Sequence, residues 1–217
     1  MRAKSFRNLK IFSGEKKFLK LLNSFGIVEE GRFEYKHIGP DGKRMQGVWY
    51  INFRKLKTEH ELKLAPLYLS AIEEFFRRGI KSIIIVGVAS ASISLPKVVQ
   101  LRMYKKYKTE FAYTEKKEGK LFFDKSQIQK LKDKHVLFIE DVANNGASLQ
   151  ELNTLMKAVG HKKYSILYGV HRGHAFLKKP KRGIFAMSMI HAPSYNVRDL
   201  PEEIKKRKLK KYKSAFT

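Results

Sequence analysis

The segment His135–Met156, HVLFIEDVANNGASLQELNTLM, decides how this chain folds. Apolar residues from Val136 to Ile139 run into two adjacent acids, Glu140 and Asp141. A loop of small and polar residues containing Gly146 follows, and then apolar residues at helical spacing. A short, unbroken apolar run suits a strand buried on both faces of a parallel sheet. Ser148 to Val159 reads as a helix closed by Gly160. Strand, tight loop and helix together make one α/β unit.

The rest of the chain extends that unit. SGEKKFLKLLNSFG (13–26) places Phe18, Leu21, Leu22 and Phe25 at helical spacing, with Ser13 as N-cap and Gly26 as the stop. VWYINFRKL (48–56) reads as a strand. TEHE (58–61) reads as a capping box opening a helix that stops at Gly79, with Pro66 moving the true start toward itself. KSIIIVGV (81–88) is a buried strand, and 95–107 a helix with Pro96 in its first turn. TEFAYTE (109–115) and KLFFDK (120–125) read as strands around the polar loop KKEG. Residues 164–170 and 184–192 supply two more strands. The core order β-α-β-β-α-β-β predicts an α/β domain on a mostly parallel sheet. Ligands in such folds sit at the carboxyl ends of strands, which selects the loops after Val88, Asp141 and Val170.

Composition narrows the class. The 217 residues are 43% hydrophobic, enough for one full core. Cysteine is absent, which excludes disulfides and cysteine-based zinc sites. No membrane span or signal peptide is read, so the cytoplasm is the expected location. The 46 Lys and Arg against 20 acids give a net charge of +26. Such a charge favours polyanionic partners, and it equally fits a surface generally rich in lysine. The densest run, KKRKLKKYK (205–213), reads as a solvated tail.

The loop of the opening segment has its own chemistry. Small residues leading into a helix N-terminus present backbone N–H groups and a positive dipole end, which bind phosphate. Asn144, Asn145 and Ser148 add side-chain donors, and Gly146 lets the backbone approach closely. Glu140 and Asp141 would repel that phosphate. They suit hydroxyl groups or a cation. A sugar carrying a phosphate satisfies both halves, with its neighbouring hydroxyls on the acids. A plain strand-turn-helix with a capping acid gives the same pattern.

The segment VLFI-ED-VA-NNGAS resembles the motif by which type I phosphoribosyltransferases bind 5-phosphoribosyl 1-pyrophosphate (PRPP). It departs from that motif at Asn144 and Asn145, where threonines are usual, and at Ala147, where a second glycine is usual. On that resemblance Glu140 and Asp141 hold the ribose, and Asn144, Asn145, Gly146, Ala147 and Ser148 hold the 5′-phosphate. Over most of residues 15–200 the chain is similar to the orotate branch. FLKLLNSFGIVEEGRFEYKHIG then places Lys36 near the pyrophosphate and base, and WYINFRKL places Tyr50 and Ile51 in the base pocket. The intervening PDGKRMQGV (40–48) is longer than the branch has. IIIVGVASASISLP resembles the pyrophosphate loop, whose peptides are strained and often cis, with Ala89, Ser90, Ala91 and Ser92 offering N–H groups. FAYTEKKEGKLFFDK resembles the mobile catalytic loop, making Lys116, Lys117 and Lys120 the pyrophosphate clamp, although it lacks the usual histidine. GVHRGHAF resembles the strand end whose arginine pairs with the orotate carboxylate. That arginine is Arg172, and His171 replaces the usual acid. MIHAPSYNVRDLPEE resembles a C-terminal segment of one subgroup.

The resemblance implies an α/β fold with a mostly parallel sheet flanked by helices and a small N-terminal hood lobe. The expected division is a helix and hood segment at 1–57, a core at 58–200 and a basic tail at 201–217. It implies transfer of phosphoribosyl from PRPP to a nucleobase, orotate first, with Mg²⁺ held through PRPP rather than by side chains, in a homodimer. Two other readings remain. One is a purine phosphoribosyltransferase. The other is a PRPP-sensing regulator that binds nucleic acid through its basic surface.

Overall fold

The computed structural model describes residues 9–12, 14–89, 93–143, 146–172, 183–190, 192 and 194–210. In chain order the first elements are β1 (Leu9–Ile11), α1 (Glu15–Ser24), β2 (Val28–Ile38), β3 (Arg44–Ile51), α2 (Thr58–Arg77), β4 (Ile83–Gly87) and α3 (Ser94–Tyr107). Then come β5 (Glu110–Tyr113), β6 (Glu115–Lys117), β7 (Lys120–Phe122), α4 (Lys125–Leu131), β8 (His135–Ala143) and α5 (Ala147–Ala158). The last are β9 (Tyr164–His171), β10 (Ile184–Met189), β11 (Ser194–Tyr195), α6 (Glu202–Lys205) and β12 (Leu209–Lys210).

Six strands form the main sheet in the order β1-β10-β9-β8-β4-β5, and every neighbouring pair is parallel. After β4 the chain moves through α3 to β5 on one side. It then returns to β8 on the other side and continues outward through β9 and β10. The direction of winding therefore reverses between β4 and β8, and a crevice opens there at the strands' carboxyl ends. The loops leaving β4 and β8 flank that crevice.

The apolar runs fill both faces. Ile85, Leu137, Ile139 and Leu167 pack with α1, α2 and α3 on one face; Ile84, Val86, Phe138 and Ile166 pack with α4 and α5 on the other. α2 runs unbroken through Pro66, contrary to the sequence expectation. Its inward face carries Leu64, Tyr68, Ile72 and Phe75, each stabilising by roughly 2 kcal/mol on burial, against about 3 kcal/mol for a helical proline. Thr58 is the first helical residue rather than the N-cap, and the Lys57 N–H donates to His60 Nδ1 at 3.3 Å. Glu61, expected to close a capping box, instead turns inward and accepts from the Ser94 hydroxyl.

Two further readings change. The expected polar loop KKEG is part of a hairpin: β6 and β7 pair antiparallel across a turn at Glu118 and Gly119. Both turn residues have positive φ, 49° and 77°, the geometry that matches a two-residue hairpin to strand twist. The helix α4 was not read from the sequence. Asp124 caps it, accepting from the Ser126 N–H at 2.9 Å.

The second sheet, β11-β3-β2-β12, joins β2 and β3 of the expected hood segment to strands from near the other end of the chain. β3 begins at Arg44, so the apparently long insertion after Gly39 is mostly strand, with a tight turn held by the Gly39 N–H to Lys43 carbonyl bond at 2.7 Å. The basic run is not simply solvated. Leu209 and Lys210 pair with Arg32 and Phe33 of β2, and Ile204 is buried. Arg207 pairs with Glu30 at 2.9 Å, and the Lys205 carbonyl accepts from Arg32 at 2.7 Å. Residues 211–217 lie outside the described residues. Deleting 204–217 is therefore expected to lower the melting temperature of the chain, because the deletion strips a strand from the hood. An unchanged melting curve would show that this pairing adds nothing.

Hood and core meet at Gly169 of β9. A β-carbon there would stand 2.6 Å from the Phe53 ring, 2.9 Å from the Asp141 carbonyl oxygen and 2.9 Å from the Tyr68 hydroxyl. Phe53 and Tyr68 are both fully packed, so neither yields easily. Gly169→Ala is expected to destabilise the chain by roughly 2–3 kcal/mol, read as a shift in denaturant midpoint. A silent substitution would mean that the junction relaxes.

Candidate functional site

Glu140 and Asp141 lie near the carboxyl end of the central strand β8, at the crevice. Successive strand residues point to opposite faces, so the pair divides. Glu140 is buried on the α5 side, opposite Tyr168 in the β8–β9 register, and its charge helps hold the Tyr168 phenol above its ordinary pKa. Asp141 is half-buried on the α2 side, within electrostatic reach of Tyr68 and Arg54. Burial pushes the Asp141 carboxyl up to about 6, although the Val142 N–H donates to its Oδ1 at 2.6 Å and Arg54 also favours the charged form. The Tyr68 hydroxyl beside it is fully buried and has no hydrogen-bond partner among the described residues.

The loop from β8 to α5 turns at Gly146, whose φ of 81° explains the need for glycine. Asn144 and Asn145 lie outside the described residues, as does the side chain of Ala147. Ala147 begins α5, so the helix N-terminus opens at this edge of the sheet. Ser148 lies in the first turn of α5 and is half-buried.

Across the crevice, the pyrophosphate assignment needs one correction. The Ala89 N–H donates to Thr114 Oγ1 at 3.0 Å, and the Thr114 N–H donates to the Gly87 carbonyl at 3.0 Å. Thr114 is fully buried, so this N–H is committed to anchoring the loop. Ser90, Ala91 and Ser92 lie outside the described residues. Gly87 leaves room where the chain enters α3, since a β-carbon would stand 3.2 Å from the Ile93 backbone, a tight contact.

The β6–β7 hairpin carries the exposed lysines Lys116, Lys117 and Lys120. Lys117 and Lys120 are direct cross-strand neighbours, a like-charge pair that an anion between them would relieve. Lys116 Nζ lies 3.4 Å from Glu151 of α5, which ties the hairpin to the helix that follows β8.

Arg172 follows the end of β9 and is buried. Its guanidinium lies over the Tyr35 ring at 4.4 Å and donates to the Tyr35 hydroxyl at 2.7 Å and to the Ala192 carbonyl at 3.2 Å. Burial lowers its pKa below the ordinary value, and Tyr35 opposes that shift. Tyr35 in turn donates to the Trp49 carbonyl at 2.6 Å. Tyr50 and Ile51 do not share a pocket, as alternation along β3 requires: Ile51 packs on the main core, while Tyr50 stacks on Phe33 at 5.3 Å. The backbone of Lys36 is in β2, and its side chain lies outside the described residues. Tyr35, Tyr68, Tyr168, Arg54 and Thr114 were not found from the sequence. No local motif marks them, since each reaches the site from a different element.

No family model and no curated protein matches this chain. Solved structures do. The orotate phosphoribosyltransferase of Francisella tularensis superposes with a TM-score of 0.57 at 16% identity, over 82% of this chain and 84% of that one. The orotate phosphoribosyltransferase of Aeropyrum pernix gives 0.55 at 18% identity, over 79% of this chain and 93% of that one. At these identities the likeness establishes the fold. It is the α/β arrangement of the type I phosphoribosyltransferases, a parallel sheet flanked by helices.

Proposed function

We propose that this chain transfers the 5-phosphoribosyl group of PRPP to a nucleobase, orotate being favoured, and releases pyrophosphate. The observation that carries the proposal is the placement of Glu140 and Asp141. They lie near the carboxyl end of β8 where the winding of the sheet reverses, shortly before the N-terminus of α5. Acid pair and helix end belong to one strand-loop-helix segment, and a sugar phosphate would use the acids for its hydroxyls and the helix end for its phosphate.

A base nitrogen attacks C1′ as the bond from C1′ to the pyrophosphate oxygen breaks. Positive charge builds on the ribose ring, and negative charge on the leaving group. Glu140 and Asp141 accept from the ribose hydroxyls and stabilise the positive charge. Lys116, Lys117 and Lys120 neutralise the leaving group and shield it from water. Ser148 and the amides of the α5 N-terminus hold the 5′-phosphate. Arg172, oriented by Tyr35, receives the carboxylate that distinguishes orotate from uracil.

Among the described residues no group of three His, Asp or Glu could hold a metal ion. Mg²⁺ would be held through the oxygens of PRPP rather than by these side chains. Mg²⁺ bound to PRPP there would neutralise charge on the departing pyrophosphate.

The test is a product assay. Purified chain is incubated with PRPP, Mg²⁺ and each nucleobase separately, and products are read by mass. Orotidine 5′-phosphate is expected. A purine nucleotide would reassign the base, and no nucleotide from any base would remove the enzyme reading.

A further inference from the structure

The lysines are spread along the sequence, yet they recur where strands of the main sheet begin. Residues 78–82 (RGIKS) lead into β4, 105–109 (KKYKT) into β5, 132–134 (KDK) into β8 and 161–163 (HKK) into β9. These four stretches carry nine Lys and Arg against one acid, Asp133. Every neighbouring pair in the main sheet is parallel, so all four entries lie along one edge, at the end of the strands opposite the crevice. The His135 N–H donates to the Ser82 carbonyl at 3.0 Å, and the Val136 N–H to the Lys163 carbonyl at 2.9 Å. The entries to β4, β8 and β9 therefore stand side by side, at the strand spacing of roughly 5 Å. Residues 88–93 and 190–193, which follow β4 and β10 at the crevice end, carry no Lys or Arg.

A cation in the last turn of a helix complements the helix dipole, as Lys105 and Lys106 do in α3. Lys81, Lys162 and Lys163 lie beyond the helix ends. They and Lys132 are exposed and make no ion pair among the described residues, whereas Lys134 pairs with Glu110 at 2.8 Å. Two less polar features interrupt the charge. A cavity of about 520 Å³ opens between the ends of α4 and α5, walled by Ile128, Leu131 and Val159 and rimmed by Lys132, Lys162 and Lys163. His161 Nε2 donates to the Lys134 carbonyl at 3.0 Å and to the Lys163 carbonyl at 3.2 Å, so the two turns that form the cavity are fixed to each other. At the β5 end of the row Tyr104 is 51% exposed, with Lys108 Nζ 5.3 Å from its ring centroid.

We propose that this edge binds single-stranded nucleic acid. The lysine row meets successive backbone phosphates, Tyr104 stacks on one base, and the cavity receives another. Charge alone suits a duplex equally well, but an exposed ring and a cavity serve only bases that have left a helix. No part of the proposal uses PRPP, so it stands or falls apart from the phosphoribosyl reading.

Fluorescence anisotropy on the full chain, with a labelled oligonucleotide of about 12 nucleotides as DNA and as RNA, tests it. Binding is expected at about 150 mM salt, with log K falling against log salt at a slope of roughly −3, as about four neutralised phosphates give. The triple variant Lys132→Glu, Lys162→Glu, Lys163→Glu should bind roughly 100-fold more weakly and with a flatter slope. The control is Lys16→Glu, Lys17→Glu, Lys20→Glu. It makes the same change in net charge on α1, whose Glu15 accepts from the Met189 N–H at the crevice end of β10. Distant charges are screened, so the control should lose less than about tenfold. Tyr104→Ala should cost about tenfold without changing the slope. If the first triple variant fails to fold, Gln at the same three positions replaces it, with the same ordering expected. Tighter binding of the DNA or of the RNA strand supports the proposal and identifies the sugar. Absence of binding at that salt, equal losses in the two triple variants, a duplex bound as tightly as a single strand, or displacement by PRPP with Mg²⁺ would each overturn it.

Discussion

Asp141→Asn is expected to reduce turnover by roughly 10²–10³-fold while leaving the chain at least as stable as wild type at pH 7. The amide keeps the size of the side chain and loses its charge, so the stabilisation of a positively charged ribose disappears. The stability half of the expectation follows from burial. The carboxyl is pushed up to about 6 in the folded chain, whereas an aspartate in an unfolded chain titrates near 3.9. Between about pH 4 and pH 6 the folded state therefore holds a proton that the unfolded state has released. Stability falls as pH rises through that window and levels off above it. Asparagine has no proton to exchange, so the variant should lose this slope. Melting curves from pH 4 to pH 8, with turnover measured beside them, check both halves. Wild-type turnover in the variant would remove the ribose role, and an unchanged pH slope would mean that the carboxyl is well solvated. Glu140→Gln should lose turnover similarly. A charge kept at a buried position where it weakens the fold is explained by its use at the site.

Arg172→Ala is expected to raise the KM for orotate by an amount equivalent to roughly 2–4 kcal/mol, with a much smaller effect on the KM for PRPP. The geometry adds a second consequence that the sequence did not suggest. The guanidinium stacks on Tyr35 and donates to the Tyr35 hydroxyl and the Ala192 carbonyl, so truncation also opens a cavity between hood and core. A loss of thermal stability should accompany the change in KM. Tyr35→Phe separates the two effects, because it removes the hydroxyl that orients Arg172 and leaves the cation. It should raise the KM for orotate moderately with little loss of stability. Equal effects of Arg172→Ala on both substrates would point instead to a base without a carboxylate.

The largest features of the fold were legible because local rules agree along the chain. Ile83–Gly87 and Val136–Ile139 are apolar on both alternating faces, which only a doubly covered parallel strand requires. Gly26, Gly79 and Gly160 stop their helices at positive φ, a backbone state that favours glycine. The acid pair and the glycine turn after it are contiguous in sequence, so their site could be found by reading along one segment.

Other features depend on contacts between distant segments. Pro66 marks a break by local rules, yet burial of Leu64, Tyr68, Ile72 and Phe75 outweighs it. The basic run looks solvated because its partner strand β2 lies some 170 residues away, as the separation of Arg32 from Lys205 shows. Ala89 loses its outward N–H to Thr114, and Tyr50 and Ile51 part company because β3 alternates. Most of all, the tyrosines behind the acids are invisible in the motif. Tyr68 arrives on α2, packed on one face of the sheet, and Tyr168 on β9, paired edge to edge with β8 with its ring on the other face, so that one stands near each carboxylate. Residue order supplies the reactive groups and the turns that hold them in one segment. The orientation and protonation of those groups come from neighbours that meet them only when the sheet and its helices assemble.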